Sequence, residues 1–222
     1  MLAVVILAGG ESRRMGQPKA LLPFPDVFPL ADAENPKRAG LKPAPTESAP
    51  EQPKTFLCHL IEVTRHPRTG ILRVVVGAHA REIQARAKLD GDELVVNKEW
   101  QRGQLSSLQA AIRSLPEGAT EGMLVCLVDH PLISAEVVGR VIGAFDGAKS
   151  KIVIPTYRGR RGHPVIFPSA MYAELLNAPE EIGARAVVRA HEGDVAEVPV
   201  EEEGVVLNLN DPESLKQIPN LK

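Results

Sequence analysis

The chain has 222 residues, which is enough for one substantial domain with a well-buried core. Hydrophobic residues make up 44% of the sequence, charged residues 24%, and the formal net charge is −2. This balance is ordinary for a globular protein and lacks the basic excess of proteins that coat nucleic acid or an anionic membrane. We therefore expect neither class of partner, and any anion-binding site must be local.

The first apolar run, at residues 2–7, is too short to cross a membrane, and no basic residue precedes it as in a secretory signal. The two cysteines, Cys58 and Cys126, lie within apolar runs and lack the spacing of metal ligands. We interpret both as core residues of a protein in a reducing compartment. The sequence thus predicts a cytoplasmic protein.

Short β-branched runs alternate with amphipathic segments along most of the chain. Such alternation predicts a mainly parallel sheet with helices on both sides, an α/β fold. In such sheets ligands bind beyond the carboxyl ends of the strands, so residues that follow strands are the functional candidates. The predicted strands cover residues 2–7, 72–76, 94–97, 123–128, 152–155 and 164–167, and the predicted helices cover 55–64, 80–87, 106–114 and 135–145.

A proline-rich insert at about residues 25–53 interrupts this alternation within what is otherwise a single domain over 1–222. The insert contains seven of the 19 prolines and no long apolar run. Because proline removes backbone donors and disfavours helix before it, an extended and mobile loop is predicted. Two interpretations stay open, a flexible insert and a lid over the active site.

The first predicted strand leads into a glycine-rich loop, Leu7-Ala-Gly-Gly-Glu-Ser-Arg-Arg-Met-Gly-Gln-Pro-Lys19. Its glycines let the backbone approach a ligand and turn N–H groups toward it. Arg13, Arg14 and Lys19 supply cations where a triphosphate needs neutralising. The spacing matches neither the P-loop nor the dinucleotide-binding glycine motif, and a glycine turn with solvated arginines is the alternative.

This loop resembles the signature loop of the MobA-like nucleotidyltransferases, which attach CMP or GMP to the molybdenum cofactor. The resemblance extends over nearly the whole chain apart from the insert. It implies a Rossmann-like three-layer α/β/α nucleotidyltransferase fold, a nucleoside triphosphate as substrate and Mg²⁺ as cofactor. It also implies catalytic roles for Arg14 and Lys19, and nucleotide binding by Leu7, Ala8, Gly9, Gly10, Ser12, Arg13 and Gly16.

A second segment, Asn97-Lys-Glu-Trp-Gln-Arg-Gly-Gln-Leu-Ser-Ser-Leu, resembles the part of the family that lines the nucleotide and acceptor cleft. Ser106 and Ser107 are predicted as an N-cap whose helix terminus faces an anion of the nucleotide, and a capping role alone is the alternative. Trp100 is the only tryptophan, and we interpret it as a core residue.

Asp129 comes directly after the buried strand predicted at 123–128, where a carboxylate suits Mg²⁺, which prefers oxygen ligands and bridges nucleotide phosphates. From its position alone a helix cap is an equal alternative. The family resemblance gives Asp129 the metal role and makes it part of the catalytic centre.

Near its end the chain resembles the family's closing motif in Val205-Val-Leu-Asn-Leu-Asn-Asp-Pro-Glu-Ser-Leu. Asn208 and Asn210 match an alternating polar pair there, and they either complete the metal site or only form a turn. Asp211 is predicted as the N-cap of a final helix that starts at Pro212.

Two further segments, Arg158-Gly-Arg-Arg-Gly-His-Pro-Val and Gly183-Ala-Arg185, resemble the cytidylyltransferase branch, where the first of them faces the molybdopterin acceptor. A phosphate acceptor is already largely ionised at pH 7, so His163 is not needed as a general base. His163 then either donates a hydrogen bond to the acceptor or holds the loop. The residues assigned to the acceptor are Gly103, Gln104, Arg161, His163 and Arg185.

Together these features predict in-line attack by a phosphorylated acceptor, molybdopterin by family analogy, on the α-phosphorus of the NTP, with pyrophosphate leaving. The acceptor-side segments favour CTP over GTP, although Leu7-Ala-Gly-Gly and the closing asparagines are closer to the guanylyltransferases. A nucleotidyltransferase with a sugar phosphate or another small phosphorylated acceptor is a second interpretation. A third is a non-catalytic nucleotide-binding protein that delivers cofactor to a molybdoenzyme or its chaperone.

Overall fold

The computed structural model describes residues 1–12, 15–24 and 53–216. Arg13 and Arg14 of the glycine loop lie outside these ranges, as does the proline-rich insert apart from Pro53. The roles predicted for the two arginines, and both interpretations of the insert, therefore stay predictions.

The described ranges contain eight strands and seven α-helices, which alternate as far as β5. The strands are β1 Leu2–Ala8, β2 Thr69–Val76, β3 Leu94–Val96, β4 Gly122–Leu127, β5 Ile152–Tyr157, β6 Arg160–Arg161, β7 Val165–Pro168 and β8 Val195–Pro199. The helices are α1 Phe56–Val63, α2 Ala80–Ala87, α3 Gln104–Ser114, α4 Ala135–Gly147, α5 Tyr172–Leu176, α6 Arg185–Ala190 and α7 Pro212–Lys216.

The strands form one sheet in the order β3-β2-β1-β4-β7-β5-β6, and β8 pairs with β5. The pairs β1–β2, β1–β4, β2–β3 and β5–β8 are parallel, whereas β7 runs antiparallel to β4 and β5. The prediction of a mainly parallel sheet is confirmed. All seven residues of β1 are buried, which explains why this central strand is a continuous apolar run in the sequence.

Alternate residues of β1 face two separate hydrophobic cores, as the two-residue period of a strand requires. Leu2, Val4 and Ile6 pack in a cluster that includes buried residues of α1 and α4. Val5 and Leu7 pack on the opposite side with buried residues of α3, α5 and α6. The three-layer α/β/α architecture is thus confirmed.

Every predicted strand and helix is present, with some ends displaced by a few residues. The final helix begins at Pro212, and Asp211 Oδ1 accepts a hydrogen bond of 2.8 Å from the Ser214 N–H, which confirms the predicted cap. Four short elements were not predicted, namely β6, β8, α5 and α6. None exceeds six residues, and segments of that length give little hydrophobic periodicity.

The two cysteines differ in their surroundings. Cys126 on β4 is buried as predicted, and burial raises the pKa of its thiol to about 12. Cys58 on α1 is only half-buried, so it lies at the edge of the core and its interpretation as a core residue is confirmed only in part. Within the described ranges no helix combines the length and apolar character needed to cross a membrane.

The chain leaves for the proline-rich insert and returns from it at neighbouring points. Pro23 forms an antiparallel bridge with Thr55, and the Phe24 N–H donates to the Lys54 carbonyl over 2.6 Å. The described residues on either side of the insert are therefore joined by backbone pairing, as at the base of a hairpin.

Candidate active site

A cleft of about 1250 Å³ opens where β1 and β4 end. Its lining comes from the glycine loop, the segment before α3, the loop after β4, strands β5 to β7, α6 with the loop before it, and the segment 206–210. Pockets for a single small molecule usually measure roughly 300–1,000 Å³. The cleft therefore has room for two small molecules side by side.

The glycine loop packs closely against the residues that follow β2 and β3. A Cβ on Gly9 would lie 3.0 Å from Ser107 Oγ, and a Cβ on Gly77 would lie 2.4 Å from Trp100 Cγ and 2.5 Å from the Gly9 carbonyl oxygen. Only glycine fits at Gly77. The interpretation of Trp100 as a core residue is wrong, because its half-buried ring lies over this glycine and lines the cleft.

Ser12 closes the glycine loop. Its φ is 54°, its carbonyl accepts a hydrogen bond of 2.9 Å from the Met15 N–H, and its Oγ accepts one of 3.0 Å from the Lys19 N–H. These contacts hold Lys19 at the cleft. The other loop residues that line the cleft are Leu7, Ala8, Gly9, Gly10 and Ser12. Gly16, predicted to bind nucleotide, is exposed at a φ of 69° and does not line the cleft.

Three distant segments meet at Lys19. Its Nζ donates to Asn210 Oδ1 over 2.5 Å and lies 3.7 Å from Asp129 Oδ2. The Leu209 N–H donates to the Asp129 carbonyl over 2.7 Å, which fixes the closing motif to the loop after β4. The side chains of Lys19 and Asp129 are 14% and 23% exposed, so they are shielded yet reachable from the cleft.

The oxygen atoms around Lys19 suit a divalent cation. Asp129, Asn208 and Asn210 all line the cleft, and the Lys19 ammonium already lies against oxygens of Asp129 and Asn210. Mg²⁺ usually takes one or two carboxylates and completes its shell with water and substrate phosphates. No cluster of three or more His, Cys, Asp or Glu side chains suited to a metal occurs among the described residues. The set therefore fits a cation that is held jointly with a nucleotide.

Helix α3 begins earlier than predicted. Gly103, at a φ of 97°, is its N-cap and Gln104 its first residue, so the prediction of Ser106 and Ser107 as N-caps is wrong. The left-handed φ, which glycine allows, turns the chain into the helix before the serines are reached. Asn97 Nδ2 instead donates to both serine hydroxyls, over 2.9 and 3.1 Å, and only Ser107 of the two lines the cleft.

The closing segment is held in place by two glycines that permit close backbone contact. A Cβ on Gly204 would lie 1.5 Å from the Leu132 carbonyl oxygen, and one on Gly162 would lie 2.2 Å from the Val205 carbonyl oxygen. The same Val205 carbonyl accepts a hydrogen bond of 2.9 Å from the His163 N–H. These contacts position both closing asparagines beside the loop that carries Asp129.

Two histidines face each other in the cleft. The ring centroids of His130 and His163 are 5.1 Å apart, and each Nδ1 is buried without a hydrogen-bond partner among the described residues. Burial lowers the pKa of His163 to about 4, with smaller contributions from His130 and Arg185, and burial also lowers the pKa of His130. The neutral ring of His163 is suited to hydrogen bonding with an acceptor.

The arginines predicted to bind the acceptor have different partners. Arg161 donates from Nε to Glu197 over 2.7 Å and from both terminal nitrogens to Glu192 over 3.1 and 2.6 Å. These carboxylates raise the pKa of Arg161 and occupy its guanidinium. Arg185 lines the same cleft, as do Gly103 and Gln104.

Several residues of the cleft were not singled out from the sequence. His130 follows Asp129 directly, and Arg189 lies four residues after Arg185 on α6, so both positions carried a signal. Arg102 and Arg160 lie within the two segments predicted to line the cleft and to face the acceptor. Glu180 gave no signal, because its place depends on a loop whose approach only the folded chain reveals.

The deciding comparison covers most of the chain. Residues 4–195 match the model of the MobA-like NTP transferase domain. The chain belongs to this family. The match includes the glycine loop, Asp129 and α6, and it ends before the closing asparagines.

Two relatives of this MobA-like NTP transferase have names that indicate different functions. One, called nicotine blue oxidoreductase, is from Paenarthrobacter nicotinovorans and is 28% identical over 192 residues, covering 83% of this chain and 80% of the relative. Another, called a probable molybdenum cofactor guanylyltransferase, is from Mycobacterium avium (strain 104) and is 23% identical over 219 residues, covering 98% and 94%.

A solved structure supports the fold. The crystal structure of Rv0371c from Mycobacterium tuberculosis H37Rv superposes with a TM-score of 0.71 and 23% identity, covering 98% of this chain and 97% of that one. The complex of Rv0371C with manganese superposes with a TM-score of 0.60 and 23% identity, covering 90% and 88%. This MobA-like NTP transferase thus has the Rossmann-like nucleotidyltransferase fold.

Proposed function

We propose that the protein transfers an NMP unit from an NTP to a phosphorylated small molecule in the presence of Mg²⁺ and releases pyrophosphate. The observation that carries this proposal is the meeting of Lys19, Asp129 and Asn210 at the end of β1 and β4, within a cleft large enough for two substrates. Membership of the MobA-like NTP transferase family supports the reaction class.

The reaction needs positioning and charge neutralisation more than covalent chemistry. An oxygen of the acceptor phosphate attacks the α-phosphorus, the bond from that phosphorus to the bridging oxygen breaks, and pyrophosphate leaves with the electron pair. Residues 7–10 line the cleft beside Ser107, which suits the nucleotide, and Lys19 supplies a cation for its phosphates. Asp129, Asn208 and Asn210 would hold the divalent cation, which when bound would add positive charge that stabilises the transition state.

The acceptor we propose is the molybdenum cofactor, supported by relatives named molybdenum cofactor guanylyltransferases. As donor we propose CTP, supported by the segments around His163 and Arg185. The names of the same relatives support GTP as the alternative donor.

The test is pyrophosphate release by the purified protein with Mg²⁺, molybdenum cofactor and either CTP or GTP. We expect release with CTP and none after chelation of the metal. Release with GTP alone would identify GTP, rather than CTP, as the donor. Release with neither nucleotide would contradict the proposed reaction. A matched reaction without molybdenum cofactor controls for hydrolysis of the NTP.

The name of the relative with 28% identity supports a second candidate, a redox reaction on a dye such as nicotine blue. Reduction of that dye by a reduced nicotinamide cofactor, without pyrophosphate release, would favour this second function. Nucleotide binding without either reaction would favour the non-catalytic delivery protein.

A further inference from the structure

A buried asparagine lies behind the two serines of α3. Asn97 follows β3, does not line the cleft, and donates from Nδ2 to the hydroxyl oxygens of Ser106 and Ser107. Its Oδ1 accepts a hydrogen bond of 2.9 Å from the Glu99 N–H. Because a backbone N–H can only donate, this contact fixes which end of the amide is the oxygen. The NH₂ group of Asn97 must therefore face the serines.

The two serines differ in where their hydroxyl hydrogens go. Each Oγ already accepts a hydrogen from Asn97, so each hydroxyl has its own hydrogen left to donate. Ser106 donates to the Gly103 carbonyl over 2.8 Å. Ser107 has no acceptor for its hydrogen among the residues that the structure describes, although its side chain is buried. Since a buried donor without a partner is costly, an acceptor on a ligand in the cleft suits this hydroxyl.

The surroundings of Ser107 suit a nucleobase better than a triphosphate. A Cβ on Gly9 would lie 3.0 Å from Ser107 Oγ and 3.9 Å from Trp100 Cβ, so these three residues meet at one place. All three line the cleft and are uncharged, and Trp100 adds an aromatic surface. The cation available for phosphates, Lys19, is held instead beside Asp129.

We propose that Asn97 is a positioning residue that makes the Ser107 hydroxyl a hydrogen-bond donor to the nucleobase of the NTP. The site then selects a base whose facing edge carries an acceptor, such as O2 or N3 of cytosine. A base that presents only N–H groups there would leave the hydroxyl hydrogen unpaired. The inference rests on the proposed function for the presence of an NTP, and it adds the direction of a hydrogen bond that discriminates between bases.

The test is the affinity of the full chain for a non-hydrolysable CTP analogue with Mg²⁺, measured by calorimetry. Ser107→Ala removes the donor and should weaken binding roughly ten-fold. Ser114→Ala is the matched control and should leave the affinity unchanged. Ser114 lies on the same helix, donates its hydroxyl hydrogen to the Ala111 carbonyl and does not line the cleft.

Asn97→Asp keeps the size of the side chain and the acceptor for the Glu99 N–H, but it replaces the NH₂ group with an oxygen. That oxygen accepts the Ser107 hydrogen and so withdraws it from the base. We therefore expect binding of the CTP analogue to weaken by roughly ten-fold or more. Thermal unfolding checks that the variant remains folded.

The double variant distinguishes positioning from a purely structural role of Asn97. If Asn97 acts through the Ser107 hydrogen, Asn97→Asp should weaken binding several-fold less in the Ser107→Ala protein than in the unaltered one. An equal loss in both proteins would overturn the inference, and so would an unaltered affinity of the folded Ser107→Ala variant on its own. Failure of the proposed function would instead appear as absent pyrophosphate release by the unaltered protein while it still binds the analogue.

Discussion

The side-chain carbonyl of Asn210 accepts a hydrogen bond of 2.5 Å from the ammonium of Lys19, although the two residues are 191 positions apart. The contact joins the glycine loop at one end of the chain to the closing motif at the other. The amide of Asn210 is uncharged and so does not neutralise the lysine ammonium. The Asp129 carboxylate, 3.7 Å from that ammonium, is close enough to attract it. Lys19 is therefore held in position before a nucleotide arrives, which reduces the entropy lost on binding.

Asp129→Ala should lower the rate of pyrophosphate release at least about a thousand-fold, since losing about 4 kcal/mol of charge stabilisation corresponds to that factor. Steady-state assays with saturating Mg²⁺ measure the effect. Asp92→Ala, at an exposed position that does not line the cleft, is the control and should be normal. A rate within ten-fold of the unaltered protein would exclude Asp129 from the metal site.

Lys19→Ala should weaken NTP binding and slow turnover by roughly 10- to 100-fold, because a charge-assisted contact to phosphate is lost. Equilibrium binding of a non-hydrolysable NTP and the initial rate are the two measurements. Lys54→Ala removes an ammonium paired with Glu62 and should leave both values unchanged. An unaltered affinity and rate in the Lys19 variant would show that the triphosphate lies elsewhere.

Gly204→Ala should destabilise the fold by about 1–3 kcal/mol or more, because the new methyl group would overlap the Leu132 carbonyl. Denaturant unfolding measures the change. The matched control is Gly139→Ala within α4, where no neighbouring atom lies within 4 Å. That variant should be more stable by about 0.5–1 kcal/mol, since alanine favours helix. Equal stability of both variants would contradict the close approach at Gly204.

Stability should fall as the pH drops from 7 to 5, partly because of His59. Burial lowers the pKa of this half-buried ring to about 4, against its hydrogen bond of 3.1 Å to the Ile133 carbonyl. Between pH 6.5 and 4 the unfolded chain therefore binds more protons, and the contribution of His59 decreases by about 1–2 kcal/mol by pH 5.

His59→Gln should flatten this pH dependence of the free energy of unfolding, whereas His79→Asn, at a more exposed position with a left-handed backbone, should not. Urea titrations at several pH values provide the comparison. An identical slope in the unaltered protein and the His59 variant would rule out the burial effect.

Replacing residues 25–52 with a short Asn-Gly turn should preserve folding, because Pro23 and Thr55 are already paired at its base. We expect pyrophosphate release within about two-fold of that of the full chain, as for a flexible insert whose length affects stability only slowly. A large loss of activity with intact thermal unfolding would instead support the lid.

The sequence located the centre of the candidate site because that centre follows the strands. Residues after β1 and β4 must lie at the same edge of a parallel sheet, which brings the glycine loop and Asp129 together without knowledge of the loops. The predicted start of α3 at Ser106 and Ser107 was wrong for a local reason. Gly103 adopts a positive φ, which lets the helix begin at Gln104.

The part of the cleft that we assign to the acceptor was less predictable, because it is built from tertiary contacts between short elements. The pairing of Arg161 depends on Glu197 of β8, a five-residue strand with mostly half-exposed side chains and no strong apolar pattern. Trp100 is apolar and aromatic, yet a 3-10 turn places it over Gly77 in the cleft rather than in either core.

The contact between Lys19 and Asn210 also sets when the candidate site can form during synthesis of the protein. Asn210 is polymerised 191 residues after Lys19, which at about 5–20 residues per second corresponds to roughly 10–40 s. Throughout that interval the nascent chain carries its glycine loop, and later Asp129, without the segment that joins them. A ribosome-bound intermediate therefore lacks the complete candidate site, and we expect a chain that terminates before residue 210 to be inactive.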